Sequence, residues 1–267
     1  MKHARAHISN ACWRGFSLIE MMVVILIVSI LMAGILAQVE QVQQRAAAEQ
    51  GKVDDFQQAR DFLDQIFTDT RQMGYPNVHN FNTAIAPPTN SCTAATSWQS
   101  PLVNDCRLAA GLVKLTATQL EFQGDVDGSG NVSIVSYMVN GSGSCATCIQ
   151  RAQVLKTNGD PLTGQTNLTN SAYNVEVQNV QNTAAIFTAY DVNGNSIALP
   201  IDINGSPSNV AAVRVIQAQL KIASPTAIDP KTGQQLEADI EGRVQVVNCS
   251  MATTGLAQSN GVQITCQ

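Results

Sequence analysis

Residues 14–37 read RGFSLIEMMVVILIVSILMAGILA. From Phe16 onward the stretch carries one charge, Glu20. A helix rises about 1.5 Å per residue, so roughly 20 apolar residues span the hydrocarbon core of a bilayer. Lys2, Arg5 and Arg14 precede the run with no acid among them. The positive-inside rule therefore leaves the N-terminus cytoplasmic and the rest of a single-pass chain outside. A carboxylate inside such a helix costs on the order of 2.5–3.5 kcal/mol on insertion scales, and so it marks function.

Three readings fit a basic start followed by an apolar run. A secretory signal peptide needs small residues at −3 and −1 of its cleavage site. A cut after Ala37 puts Ile35 at −3, and a cut after Ala33 puts Leu31 there. A plain membrane anchor leaves Glu20 without a purpose. The third reading rests on Arg14-Gly15-Phe16-Ser17-Leu18-Ile19-Glu20. This heptapeptide resembles the processing site of type IV prepilins and pseudopilins: a basic leader ending in Gly, an aromatic residue, three mostly apolar or hydroxyl residues, then Glu fifth in the mature chain. The resemblance implies that a prepilin peptidase cuts between Gly15 and Phe16 and methylates the new Phe16 amine. It further implies that this amine on one subunit meets Glu20 of its neighbour, cancelling two charges that are expensive to bury singly.

The helical signal outlasts the membrane span. Between Gln38 and Met73 there is no Pro and one Gly, Gly51. Apolar residues recur at Val39, Val42, Ala46, Val53, Phe56, Ala59, Phe62, Leu63, Ile66, Phe67 and Met73, mostly in steps of three and four. Gly74-Tyr75-Pro76 is a stop signal. A helix from Phe16 to about Met73 is roughly 85 Å long, too long for one globular domain. That length makes sense if the first half packs on other subunits and the second half covers this chain's own sheet.

After Pro76 the texture changes. Residues 77–101 are rich in Asn, Thr, Ser and Pro and read as loop. Strand-like runs follow at 111–122, 132–140, 149–156, 174–177, 185–190, 210–223 and 244–249, separated by turn pairs such as Asp127-Gly128, Asn140-Gly141, Asn158-Gly159, Asn193-Gly194 and Asn204-Gly205. The expected fold class is α+β: a long N-terminal helix packed on a meandering antiparallel sheet with variable disulfide-bonded loops. The expected organisation is leader 1–15, membrane and filament-core half of the helix 16–37, amphipathic half 38–76, and β-rich outer domain 77–267.

The order of elements resembles the PilW-type minor pilins and, next, the GspJ-type pseudopilins. The matching pieces are 58–62 and 71–75 on the helix, 135–137, 149–151, 179–180 leading to 187–191, and 213–215 leading to Leu220. The resemblance implies a structural subunit of a type IV pilus, larger than most major pilins of that family. It would act in pilus assembly alongside other major and minor pilins, the prepilin peptidase and the assembly platform of the inner membrane. A type II secretion pseudopilin, or a membrane-anchored adhesin or binding module, are the alternatives.

Composition narrows the classes further. Charged residues are 13% of the chain, against roughly 25% in an ordinary soluble domain. Beyond residue 15 the chain holds 12 bases against 20 acids, which disfavours direct nucleic-acid binding. His79 is the one histidine in that stretch, so serine–histidine–acid catalysis and histidine-rich metal sites lack raw material. The chain reads as a non-enzyme with no catalytic residue and no cofactor beyond a weak calcium candidate.

Seven cysteines become six once Cys12 leaves with the leader. An even number outside the cytoplasm points to disulfides. Locality favours Cys92–Cys106, Cys145–Cys148 and Cys249–Cys266, each closing a short loop. Closing a loop of about 15 residues is worth on the order of 3 kcal/mol in the chain-entropy account. A redox reading of Cys145-Ala-Thr-Cys148 lacks the βαβ context it needs, and a zinc reading lacks two further ligands.

Residues 124–133 read GDVDGSGNVS. Asp125, Asp127, Ser129 and Asn131 fall at positions 1, 3, 5 and 7 of a calcium loop, with Gly130 at 6. Position 12, which calls for a bidentate Glu, is Ser136. The alternative is a hairpin turn in which Asp and Gly serve local backbone bonding.

Overall fold

The computed structural model describes residues 17–77, 102–140, 147–162, 168–229 and 231–247. The chain divides into two compact units, residues 1–47 and 48–267. One helix, α1 (Leu18–Arg71), runs from the first into the second. Its length follows from the absence of Pro and the two isolated glycines, Gly34 and Gly51. The helix ends two residues before the expected Met73. Gln72 and Met73 N–H groups bond back to the Asp69 and Thr70 carbonyls, tightening the last turn. Gly74 then takes φ +76°, a conformation that ends the helical path.

The second unit carries two antiparallel sheets where the sequence suggested one. The first has six strands: β1 (Leu112–Leu115), β2 (Gln119–Gly124), β3 (Ser133–Asn140), β4 (Cys148–Leu155), β5 (Tyr173–Val177) and β8 (Ile201–Asp202), ordered β5-β4-β3-β2-β1-β8. The second has β6 (Phe187–Tyr190), β7 (Ser196–Ile197), β9 (Val215–Ile228) and β10 (Gln235–Gln245), ordered β10-β9-β6-β7. Neighbours in sequence form the meander β1 to β5, and from β2 onward the turn pattern indicates it. The departures are the long-range pairings β1 with β8 and β6 with β9, which no local turn signal announces.

Three expected runs change shape. The 111–122 run is a hairpin, folded at residues 116–118 where the Thr116 amide bonds the Gln119 carbonyl. The 210–223 run begins inside a short helix, α2 (Pro207–Ala212), which has Pro in its first turn. Of the 244–249 run, Val244 and Gln245 are the tail of the much longer β10, which pairs with β9 from Gln235 to Gln245, and residues 248–249 lie outside the described residues. Along β10 the even-numbered residues turn inward, with Ala238 and Val244 buried, while Glu237, Asp239, Glu241 and Arg243 stay exposed. Charges on the outer face of an edge strand discourage pairing with stray chains.

One hydrophobic core joins both sheets to the helix. Ala59, Phe62, Leu63 and Ile66 of α1 lie in the same buried cluster as Leu120, Phe122, Tyr137 and Ile149 of the six-stranded sheet and Phe187, Ile216, Ala218 and Leu220 of the four-stranded one. The expected cover of sheet by the second half of the helix is therefore present. Gly242 of β10 makes room for the Phe67 ring, which a Cβ there would strike.

Candidate functional site

Gly15 and Phe16 lie outside the described residues, and α1 starts just after them. The Met21 amide donates to the Ser17 carbonyl across 3.2 Å, closing the first turn. Glu20 stands in that turn and is exposed, with Leu18, Ile19, Met21 and Met22 exposed around it. A negative side chain at this end is favoured by the helix dipole. From Ser17 to Ala47 every side chain is exposed. Within that stretch an 18-residue window reaches a mean hydropathy of 2.7 with none of it buried. Ser29 returns its hydroxyl to the Ile25 carbonyl at 2.7 Å, so its donor is already satisfied. Apolar surface on every side of a helix is stable only in lipid or among other helices.

The second half of α1 works differently. Phe62 meets the Tyr137 ring edge-on, with centroids 5.7 Å apart and planes at 80°. Two turns further, Asp69 is buried and accepts two hydrogen bonds on Oδ2, from Tyr137 Oη at 2.6 Å and Arg151 Nε at 2.9 Å. Arg151 Nη2 forms an ion pair with the same oxygen at 2.7 Å. The guanidinium also sits 5.8 Å from the Tyr137 ring centroid. Burial, reinforced by the Asp69 charge, pushes the Tyr137 phenol upward, while Arg151 is held charged by Tyr137 and Asp69 against its own burial.

A second charged cluster lies under the segment before β1. Arg107 grips Asp105 with two hydrogen bonds, 2.8 and 2.7 Å, both side chains being essentially buried. Lys156 is wholly buried and donates from Nζ to the Val103 and Leu108 carbonyls, each at 2.7 Å. Burial pushes its ammonium down to about 7, with Asp105 and Asp160 opposing. Asp160 accepts from the Thr157 amide and hydroxyl. Glu121 borders a cavity of about 280 Å³ with Lys114, Pro161 and Asp202. Burial raises Glu121 to about 7, partly offset by Lys114.

The acidic turn between β2 and β3 brings its four expected residues together. Asp127 Oδ1 accepts the Ser129 amide at 3.0 Å, and Asp125 Oδ2 accepts the Gly130 amide at 2.9 Å. Ser129 Oγ accepts the Asn131 amide and side-chain amide, each at 3.3 Å. Ser136 at position 12 is fully buried in β3 and takes part in a hydroxyl network with Tyr173, so it offers the turn nothing. Among the described residues no three His, Cys, Asp or Glu converge on one point.

Cys106 and Cys148 are both buried and disulfide-bonded. Cys12, Cys92, Cys145, Cys249, Cys266 and His79 lie outside the described residues. Sequence reasoning did not foresee the roles of Asp69 or Lys156. The only advance signal was the placement of Tyr137 and Arg151 in two short pieces of family resemblance.

Comparison with known protein families identifies the prokaryotic N-terminal methylation motif at residues 14–36. No curated protein and no solved structure matches the chain. The motif spans Gly15, Phe16 and Glu20 and most of the bare apolar stretch, and the α+β body follows it. The chain thus carries, at the head of its long helix, the methylation motif that marks type IV pilin-like and pseudopilin subunits.

Proposed function

We propose that this chain is a minor pilin of the PilW type, a structural subunit that takes part in assembling a type IV pilus. The observation that carries the reading is the coincidence of the methylation motif with an apolar helix whose side chains are all exposed from Ser17 to Ala47. In this reading the chain waits in the inner membrane with Lys2, Arg5 and Arg14 on the cytoplasmic side. A prepilin peptidase removes residues 1–15 and methylates the Phe16 amine. The helix then moves from lipid into a bundle of pilin helices, an exchange of one apolar environment for another. Glu20 pairs with the N-terminal amine of an adjacent subunit and so fixes axial register. The β-rich domain remains outside, held by disulfides that pair Cys92 with Cys106, Cys145 with Cys148 and Cys249 with Cys266.

Intact-mass and N-terminal peptide measurement on protein from membranes and from sheared surface filaments tests this. A chain beginning at N-methylated Phe16 in both fractions is expected. A functional chain that still begins at Met1 overturns it. Deleting the gene separates the two assembly systems: loss of surface pili supports the pilus role, and loss of protein secretion with pili intact supports a pseudopilin of the type II system.

A further inference from the structure

Aspartates organise several turns among the described residues of the β-rich unit, and one of these turns is left incomplete. Asp191 Oδ1 accepts the Asn193 and Asn195 amides, and its Oδ2 accepts the Asn195 side chain. Asp229 uses one oxygen for the Lys231 amide and the other for the Thr232 hydroxyl. Asp202 accepts the Asn204 and Gly205 amides. These turns account for their aspartates with local donors alone.

The 125–131 turn does not. Asp125 is 6% exposed, and its Oδ1 has no hydrogen-bond partner. The Oδ1 of Asn131 is also buried without a partner. Both orphans are oxygen acceptors in the same seven-residue span. A buried acceptor without a donor is costly, and a hard cation satisfies several at once. Gly128 and Gly130, at φ +67° and +81°, let the chain curl so that oxygens two residues apart share one side.

We infer that the 125–131 turn binds a calcium ion through oxygens of Asp125, Asp127, Ser129 and Asn131, with water completing the shell. Calcium fits better than magnesium because the donors are few, uneven and on a flexible turn, whereas magnesium demands near-octahedral geometry. Without a bidentate carboxylate at Ser136, the affinity belongs to the extracellular class, with a Kd of about 0.1–1 mM. The ion would tie the β2–β3 connection to the end of α1, because the Asp125 amide already donates to the Tyr75 carbonyl at 2.8 Å.

The test uses the full chain in non-ionic detergent, stripped with chelator and titrated by calorimetry with calcium chloride to 10 mM, with magnesium chloride in parallel. Asp127→Asn is the diagnostic variant, because Asp127 is exposed and its loss leaves the fold intact. Asp191→Asn is the control. The expected result is a saturable calcium heat in the parent and in Asp191→Asn, at least tenfold weaker binding in Asp127→Asn, and a rise in Tm of about 3–5 °C at 10 mM calcium in the parent and in Asp191→Asn, with a smaller rise in Asp127→Asn. No heat in the folded parent, an equal response to magnesium, or full binding by Asp127→Asn overturns the site.

Discussion

Tyr137 Oη donates a 2.6 Å hydrogen bond to Asp69 Oδ2, tying the third strand to the last turns of the long helix across 68 residues of sequence. Arg151 on the neighbouring strand reaches the same oxygen at 2.7 Å. The three groups lock the helix to the six-stranded sheet at a fixed rotation, because only one face of α1 presents Asp69 beside Phe62 and Ile66. Removing one partner leaves the others buried and under-satisfied. Asp69→Ala is expected to cost about 3–5 kcal/mol, since it strands the Arg151 charge. Tyr137→Phe removes one charge-assisted bond and is expected to cost about 1.5–3 kcal/mol. Urea unfolding of both variants and of the double variant measures this. If the pair acts as a unit, the double variant is less damaged than the two single losses combined.

Two glycines separate a rigid close approach from a yielding one. A Cβ at Gly124 would strike the Gln72 backbone carbonyl, and that backbone is held in place by the Gly74 to Gln123 hydrogen bond of 2.9 Å. A Cβ at Gly242 would strike the Phe67 ring, a half-buried side chain that can swing. Gly124→Ala is expected to cost about 2–3 kcal/mol and Gly242→Ala about 1 kcal/mol, both as overpacking. In a Phe67→Ala background the Gly242→Ala penalty is expected to vanish while that of Gly124→Ala persists. Thermal unfolding of the two single glycine variants, of Phe67→Ala and of the two double variants decides it, and equal penalties at the two glycines would count against the distinction.

Much of this architecture was legible because local physics dictates it. The apolar run from Phe16 has no reading except a helix in an apolar medium, and the three-and-four spacing of Ala59, Phe62, Leu63 and Ile66 names the face that is buried. The meander from β2 to β5 follows from turn residues between its strands, whereas the bend between β1 and β2 carried no such signal. The alternation Leu236, Ala238, Ile240, Gly242, Val244 was equally present, yet alternating charges at Glu237, Asp239, Glu241 and Arg243 disguised the strand as a polar segment. The split into two sheets was not legible, since β1 with β8 and β6 with β9 pair across some 30 to 90 residues with no turn between them. Lys156 was invisible for a related reason. A lysine beside a turn looks solvated, and only the fold reveals the Val103 and Leu108 carbonyls that receive it.

Glu121 gives the outer domain a pH dependence of definite sign. Its ordinary value of 4.5 rises to about 7 in the folded chain, chiefly by burial. The folded state therefore holds this proton more tightly than the unfolded state. The associated stabilisation is complete below pH 4.5 and is lost as pH climbs through about 7. A shift of this size corresponds to about 3 kcal/mol. Lys156 acts in another window: pushed down to about 7 from 10.5, it contributes stability above pH 10.5 that is lost as pH falls to about 7. Glu121→Gln, which keeps the shape without the titration, is expected to flatten the decline between pH 4.5 and 7 and leave the alkaline limb unchanged. Urea midpoints across pH 4–10 provide the measurement, and an unaltered acid limb in the variant would rule Glu121 out as its source.

The exposed Glu20 separates insertion from assembly. The apolar residues around it are sufficient to hold the helix in a bilayer, and replacing a carboxylate by an aliphatic group lowers the insertion cost by about 3 kcal/mol. Glu20→Val is therefore expected to enter the membrane at least as well as the parent and to be processed normally at Gly15–Phe16. Under the proposed assembly role, what it lacks is the counter-charge for a neighbouring subunit's methylated amine. An uncompensated amine inside a packed helical bundle is penalised by several kcal/mol, enough to exclude the subunit from the filament. Membrane fractions should hold the variant at parental levels while sheared filaments contain at least tenfold less of it. Glu20→Gln distinguishes charge from shape, because it retains hydrogen bonding and size and should fail nearly as badly. Parental amounts of either variant in filaments would show that register is set by the apolar packing alone.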